Sequence, residues 1–203
     1  HNIMFALVNK SDNSITKFLN GKIGITLDGI QHPKAIFSLW TEAERNAINI
    51  YTVEMDNSKK KNEEWYNNTN VTYAFDGSKV TGSYGDATAK AHADTLFTAQ
   101  DESDGKGTEG DVKDEGLKTK LIKQVKNQAE SELNKTDWYI TRKAEKDTAI
   151  PSAVSTHRDA VRSKQASMET SITNASDTAA LEVLYTRDED GDRPLGELPT
   201  KDF

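Results

Sequence analysis

One regular stripe of apolar residues constrains the C-terminal part of this chain to be helical. Its members are separated by 4, 1, 3, 4 and 4 positions: Leu117, Leu121, Ile122, Val125, Ala129 and Leu133. This spacing places them on one face of an α-helix, and lysines and glutamates occupy the opposite face. The stripe continues toward Trp138, although Thr136-Asp137 can interrupt the helix there.

A second helix is predicted after the break at Ile150-Pro151-Ser152, because proline is tolerated in the first turn of a helix. Its apolar face carries Val154, His157, Val161, Met168 and Ile172. A turn over 174–177 precedes a short third helix over 178–185. Consecutive amphipathic helices joined by a short loop form an antiparallel pair, so residues 117–186 are predicted to be an α-helical hairpin domain.

The N-terminal part contains short, strand-like segments. Ile3 to Val8 is an apolar run typical of a buried strand, and the pairs Asn20-Gly21 and Asp76-Gly77 each predict a β-hairpin. Thr41 followed by Glu44 is a capping box for a short helix through 47, with a strand over 48–53. The predicted fold class is therefore α+β, with a small, mixed, β-rich N-terminal domain over residues 1–97.

Between these two parts, the composition changes abruptly. Residues 98–116 carry seven acidic and two basic side chains, and 101–110 contain no apolar residue. Such a segment cannot offset the entropy lost on ordering, so it is predicted to be a flexible, acidic, Gly-rich linker that proteases cut first. Residues 187–203 are polar, contain two prolines and are predicted to form an extended tail.

The charge pattern excludes several classes of partner. The net charge of −7 comes from the linker and the tail, and no basic stripe of the kind that binds nucleic acid is present. No apolar run approaches the roughly 20 residues that span a bilayer, and the six-residue run near the start lacks a basic region before it. We therefore expect no nucleic-acid partner, no membrane partner and no signal peptide. The chain has no cysteine, which excludes disulfides and thiolate sites.

No residue pattern typical of a catalytic, cofactor or metal site is found. The four histidines (His1, His32, His92 and His157) lack ligand spacing, and His157 is expected to pack on an apolar helix face. The glycines over 105–110 lack the lysine of a phosphate-binding loop. An EF-hand counted from Asp188 would need glycine and glutamate where Arg193 and Pro199 stand, which leaves an exposed acidic turn or a weak cation contact. The chain is thus expected not to be an enzyme and to bind no cofactor.

Two clusters have alternative interpretations. The aromatic residues Trp65, Tyr66, Tyr73 and Phe75 could form a carbohydrate-binding or partner-binding patch, but packing in a small core is favoured. The second cluster comprises Arg142, Arg158 and Arg162. These arginines could bind a partner's carboxylates, or they could lie on a solvated face and pair with Glu145 and Asp159.

Two sequence blocks resemble bacteriophage tail-fibre and tail-assembly proteins. The first block runs from Leu133-Asn134-Lys135-Thr136-Asp137-Trp138 through Glu145 and Ile150-Pro151 to the Arg158/Arg162 pair. It is similar to a C-terminal module in which a Leu-rich helix leads into a T-D-W segment, a break and an arginine-bearing helix. The second block is Phe37 to Glu44 with 48–53, where Asn49 replaces the usual glycine between two isoleucines.

The resemblance implies a non-enzymatic structural protein of the virion tail, in the fibre or baseplate region and assembled in the host cytoplasm. The alternative is a tail-fibre assembly chaperone that is absent from the mature particle. Its implied partners are other phage tail proteins, with self-association left open. The resemblance carries no active site, and it implies a docking element with Trp138 as anchor between the helices. The expected partner-docking residues are Trp138, Tyr139, Arg142, Arg158 and Arg162.

Overall fold

A five-stranded sheet organises the first of two compact units. The structure, a computed structural model, describes residues 4–203; one unit ends at Thr88 and the other covers Ala89–Phe203. The fold class is α+β, as predicted, with strands in the N-terminal region and helices in the C-terminal region. The elements up to the unit boundary are β1 (Phe5–Asn9), β2 (Ser14–Leu19), β3 (Ile25–Leu27), β4 (Ile30–His32), α1 (Ile36–Leu39), α2 (Glu42–Ala47), β5 (Ile50–Asp56), β6 (Tyr66–Asn67), β7 (Thr72–Phe75), β8 (Val80–Ser83) and β9 (Thr88–Ala89).

The sheet has the strand order β2-β1-β5-β8-β7. Strand β1 is antiparallel to both neighbours, β5 and β8 are parallel, and β8 is antiparallel to β7. The predicted turn at Asp76-Gly77 joins β7 to β8 and is closed by a 3.1 Å hydrogen bond from the Asp76 N–H to the Lys79 carbonyl. This hairpin prediction is confirmed, and β1 confirms the first predicted strand except at Ile3, which lies outside the described residues.

Both faces of this sheet are buried, because side chains alternate along each strand. One face contributes a cluster that contains Ala6, Val8, Tyr51, Phe75 and Val80. The other contributes a cluster of Phe5, Ile25, Ile36 and Ile50. Two thin layers of core therefore form around one sheet.

The predicted hairpin at Asn20-Gly21 is wrong. Strand β2 pairs with β1, whereas β3 pairs with β4, so the two strands flanking this turn belong to different sheets. The turn that closes β3–β4 is Asp28-Gly29, whose φ values of 47° and 77° are those that a two-residue hairpin loop requires. Gly21 also has a positive φ, but it serves a close approach in which a Cβ would lie 3.0 Å from the Phe5 ring.

The capping box at the start of α2 is confirmed, with Thr41 and Glu44 exchanging hydrogen bonds. The next strand, β5, begins at Ile50 and not at Ile48. Ile48 closes α2, and Asn49 adopts φ 67°, a left-handed conformation that asparagine tolerates better than most residues. The chain therefore turns at Asn49 before the strand can start.

The predicted domain boundary and linker differ from the structure. The unit boundary lies at 88/89 and not at 97/98, and residues 98–116 belong to the second unit. The elements of that unit are β10 (Thr95–Leu96), α3 (Ala99–Ser103), β11 (Val112–Asp114), α4 (Leu117–Asn134), α5 (Asp137–Lys146), α6 (Ser152–Asn174) and α7 (Thr178–Tyr185).

Local polar bonding orders the segment that composition predicted to be unstructured. Thr98 and Asp101 form a capping box at the start of α3, and β10 pairs with β11. The Asp94 carboxylate accepts hydrogen bonds from the Gly116 N–H and the Thr119 hydroxyl. Backbone and side-chain hydrogen bonds thus replace the apolar anchors that the segment lacks.

Helices α4 and α6 pack as the predicted antiparallel pair. Three contacts along the pair run in opposite chain directions: Lys118 with Thr173, Lys126 with Glu169, and Glu132 with His157. The seam between them buries Val125, Ala129, Val154, Val161, Met168 and Ile172. Helix α7 confirms the predicted third helix.

Residues 187–203 contain no helix or strand, in keeping with the predicted extended tail, but they are not free. Leu195 is buried, and its N–H donates a hydrogen bond to the Leu184 carbonyl. The guanidinium of Arg193 lies 4.9 Å from the centre of the Tyr185 ring. The N–H of Lys201 reaches Oε1 of Glu132 at 2.9 Å, so the tail returns to α4.

Candidate docking surface on helix α5

The break between α4 and α5 determines which side chains face outward. Thr136 is 1% exposed and lies outside both helices, with a backbone conformation of φ −116° and ψ 4°. Its N–H and its hydroxyl both donate to the Leu133 carbonyl, which ends α4. Helix α5 therefore starts afresh at Asp137, and none of its ten residues is buried.

Three side chains form a stacked group on α5. The Trp138 and Tyr139 rings are stacked with centroids 3.7 Å apart, and the Arg142 guanidinium lies 4.9 Å and 5.4 Å from the two ring centres. Trp138 remains 51% exposed. Such stacking holds the guanidinium by cation–π attraction and fixes its orientation. A flat, rigid, half-exposed aromatic group with a fixed cation is typical of a protein-binding surface.

The same side of α5 carries its positive charge. At 100° per residue, Trp138, Tyr139, Arg142 and Lys146 fall within about a third of a turn, whereas Asp137 and Glu145 lie outside that arc. We call these four residues the aromatic–cationic face. The Nε of Arg142 is buried and has no hydrogen-bond partner within residues 4–203. The face therefore presents apolar area and a cation whose hydrogen-bonding capacity is incompletely used.

Arg158 from α6 fixes the start of α5. It is 6% exposed, and one of its terminal nitrogens donates to the Leu133 carbonyl, the Thr136 hydroxyl and Oδ1 of Asp137 at 2.8–2.9 Å. The prediction that Arg158 binds a partner is inconsistent with this burial. The alternative pairing with Glu145 or Asp159 is not observed either, because the carboxylate is that of Asp137. Arg158 is a positioning residue.

A second buried polar group lies one turn earlier on α4. Glu132 is 5% exposed, and its oxygens are 2.9 Å from Nε2 of His157 and 2.7 Å from Nζ of Lys135. Burial alone would raise the pKa of Glu132, but the hydrogen bonds from Lys135, the Lys201 N–H and His157 outweigh it and lower that pKa. The carboxylate is therefore held in its charged form at the junction of α4, α6 and the tail.

Sequence reasoning missed Glu132 and Thr136. Both continue the spacing of the α4 stripe, since they follow Ala129 by three and seven positions. A polar residue at a stripe position is the signal that could have identified them. His157, predicted to pack on the apolar face, is buried as expected.

The remaining predicted residues are placed as follows. Trp138 lies on an exposed face and not between the helices, so that part of the anchor prediction is wrong; Thr136 and Arg158 occupy the junction instead. Arg162 is exposed on α6. In the first unit Trp65, Tyr66 and Phe75 are buried, which confirms core packing, and the partly buried Tyr73 ring packs 4.8 Å from that of Phe18.

Searches of the described chain for other kinds of site returned nothing. Within residues 4–203, no group of three or more histidine, aspartate or glutamate side chains is arranged to hold a metal ion. No helix in that range combines the length and apolar character needed to cross a membrane. No protein-family model matches the chain, and no curated protein or solved structure matches it either.

Proposed function

We propose that this chain is a non-enzymatic structural component of a bacteriophage tail, in the fibre or baseplate region. In this proposal the second unit attaches the chain to other tail proteins through α5. The observation that carries the attachment role is the aromatic–cationic face, because a half-exposed tryptophan stacked on a tyrosine and an arginine is costly to leave in water and suits a protein partner.

The assignment to a phage tail rests on the resemblance of the two sequence blocks. In the first block, the T-D-W segment contains the residues that end α4 and start α5, so the motif coincides with the proposed docking helix. In the second block, Asn49 stands at the usual glycine position and adopts a left-handed φ of 67°. A glycine would satisfy that backbone at no steric cost, so the departure from the pattern is physically conservative.

The decisive experiment is protein mass spectrometry of purified particles of the phage that encodes this chain. We expect the chain at a stoichiometric ratio to the other tail proteins. Its absence from particles, together with binding to unassembled fibres in the infected cell, would support the assembly-chaperone alternative. Turnover of host glycans or peptidoglycan by the purified chain would overturn the non-enzymatic proposal.

A matched pair of variants tests the role of α5 in the same particles. Trp138→Ala removes the exposed ring of the aromatic–cationic face, and Ile140→Ala removes a 40% exposed side chain elsewhere on the same helix. We expect particles to exclude the first variant and to retain the second. Equal incorporation of both would show that α5 does not attach the chain.

A further inference from the structure

The second unit exposes a second apolar surface, on the hairpin of β10 and β11. Leu96 and Val112 lie opposite one another across its two strands. They are 48% and 47% exposed, respectively. An isolated two-stranded hairpin that presents an adjacent apolar pair is a surface that gains stability when another chain covers it.

Acidic groups surround this apolar pair. Asp111 and Asp114 flank Val112 along the chain, and all three are exposed. Because side chains alternate along a strand, Asp114 shares a side with Val112, whereas Lys113 points to the other side, where its Nζ lies 3.9 Å from the Asp101 carboxylate. We call Leu96, Val112, Asp111 and Asp114 the acidic hairpin surface.

The acidic hairpin surface and the aromatic–cationic face are complementary. One combines exposed aliphatic side chains with carboxylates, and the other combines exposed aromatic rings with Arg142 and Lys146. Both belong to the second unit, and both remain exposed in the single chain, so neither covers the other within one molecule. Opposite charge at the rim of two apolar patches favours association and determines its orientation.

We infer that a second copy of this chain is the partner, with the acidic hairpin surface of one copy docked on the aromatic–cationic face of the next. This inference deepens the proposed function and rests on α5 being a docking surface. The contact joins two different surfaces, so it is a head-to-tail contact that repeats into a ring or an open chain. Each surface is small, so each contact is weak, and repetition along an assembly supplies the avidity.

Sedimentation velocity of the full chain tests whether it associates at all. We expect the average mass to rise with protein concentration up to about 1 mM at about 0.1 M salt. Association should weaken at about 1 M salt, where the screening length falls from about 10 Å to about 3 Å. A chain that stays monomeric at low salt over this whole range overturns the inference.

A mixing experiment tests the head-to-tail arrangement. Trp138→Ala disables only the α5 side, and the double variant Leu96→Asn/Val112→Asn disables only the hairpin side. Each alone should self-associate at least about tenfold more weakly than the unaltered chain. An equimolar mixture should form a 1:1 dimer and nothing larger, because it retains one intact surface of each kind. A mixture that stays monomeric, or either variant associating at full strength, contradicts the arrangement.

Two controls separate surface effects from misfolding. Ile140→Ala on α5 and Val183→Asn on α7 alter side chains that are 40% and 60% exposed and belong to neither surface. Both should self-associate as the unaltered chain does, and all variants should keep its far-ultraviolet circular dichroism. Incorporation into particles without self-association would refute this inference and leave the tail proposal standing, whereas self-association without incorporation would do the reverse.

Discussion

At the scale of single residues, buried polar side chains on the helices carry the specific information about this unit. Glu132 and Arg158 occupy positions where the helical periodicity calls for apolar residues, and each makes three hydrogen bonds or ion pairs. An apolar side chain there could fill the space but could not fix the angle at which α5 and the tail meet the helical pair. These residues therefore trade burial for geometry.

Arg158→Met should destabilise the second unit. The substitution keeps a long apolar stem but leaves the Leu133 carbonyl and the Thr136 hydroxyl without their donor, which costs about 2–4 kcal/mol of the free energy of unfolding. Urea denaturation followed by circular dichroism measures this loss. The matched change Arg162→Met, at an exposed position of the same helix, should stay within about 0.5 kcal/mol. Equal effects at the two positions would contradict the positioning role of Arg158.

Glu132 should make the stability of the second unit dependent on acid. Its folded pKa lies below the model value of 4.5, so its contribution is fully present above that value and is lost as the pH falls through the lower, folded pKa. Denaturation midpoints between about pH 3 and about pH 7 should therefore drop at the acid end more steeply for the unaltered chain than for Glu132→Gln. Parallel curves for the two proteins would show that Glu132 is not the acid-sensitive group.

At the scale of elements, α5 and the hairpin of β10 and β11 differ from the rest of the second unit because their apolar side chains stay exposed. Helix α5 is attached by its first turn, through Arg158 and Asp137, and buries none of its residues. Its exposed ring is therefore a feature of the surface. This distinction predicts how truncation of the ring affects folding.

Trp138→Ala should leave the fold almost unchanged. The lost stacking on Tyr139 and Arg142 costs about 1 kcal/mol, well below the roughly 3–5 kcal/mol that follows from truncating a buried tryptophan. Thermal unfolding and helical circular dichroism should be close to those of the unaltered chain. A loss of several kcal/mol would instead place Trp138 in the core of the unit.

The order of residues 98–116 should depend on the cap of α3. Thr98→Ala removes the hydroxyl that accepts the Asp101 N–H, which costs about 1 kcal/mol locally. That loss corresponds to roughly fivefold faster hydrogen exchange at the amides of α3. Helix α4 should exchange at an unchanged rate. If the unaltered chain already exchanges at the random-coil rate over 98–116, the segment is a flexible linker after all.

At the scale of the whole molecule, each unit has a core of its own, and the second unit extends beyond the helical hairpin at both ends. Asp94 holds the start of α4, and the tail buries Leu195 and bonds Glu132. The helical pair over 117–186 is therefore only part of a cooperative unit. Its edges are completed by segments that read as boundary and tail in the sequence.

Removal of 187–203 should consequently destabilise the helices that remain. Loss of the buried Leu195 side chain alone costs about 1.5–3 kcal/mol, and the tail's hydrogen bonds to α4 and α7 are lost as well. Denaturation of the chain ending at Thr186 should show a second unit less stable by at least about 2 kcal/mol. Leu195→Ala in the full chain should reproduce most of this loss. An unaffected truncation would show that the tail is passively attached.

The sequence by itself determined the features whose physics is local. The spacing of apolar residues in α4 and α6, the capping box at Thr41 and the turn at Asp76-Gly77 depend on residues within a few positions of each other, so a local pattern suffices. The α+β class follows from the same periodicities. Helix α7 belongs to this group too, because its boundaries are set by a turn and a short apolar period.

Only the tertiary structure decided the features that depend on distant partners. The choice of β1 as the neighbour of β2 overrode the turn at Asn20-Gly21, since strand pairing is settled by which apolar faces meet. Hydrogen bonds to Asp94 and between β10 and β11 ordered a segment whose composition favours disorder. The burial of Arg158 and the exposure of Trp138 have one cause. The break at Thr136 turns α5 away from the seam, and a break's effect on direction is set by the helix it packs against.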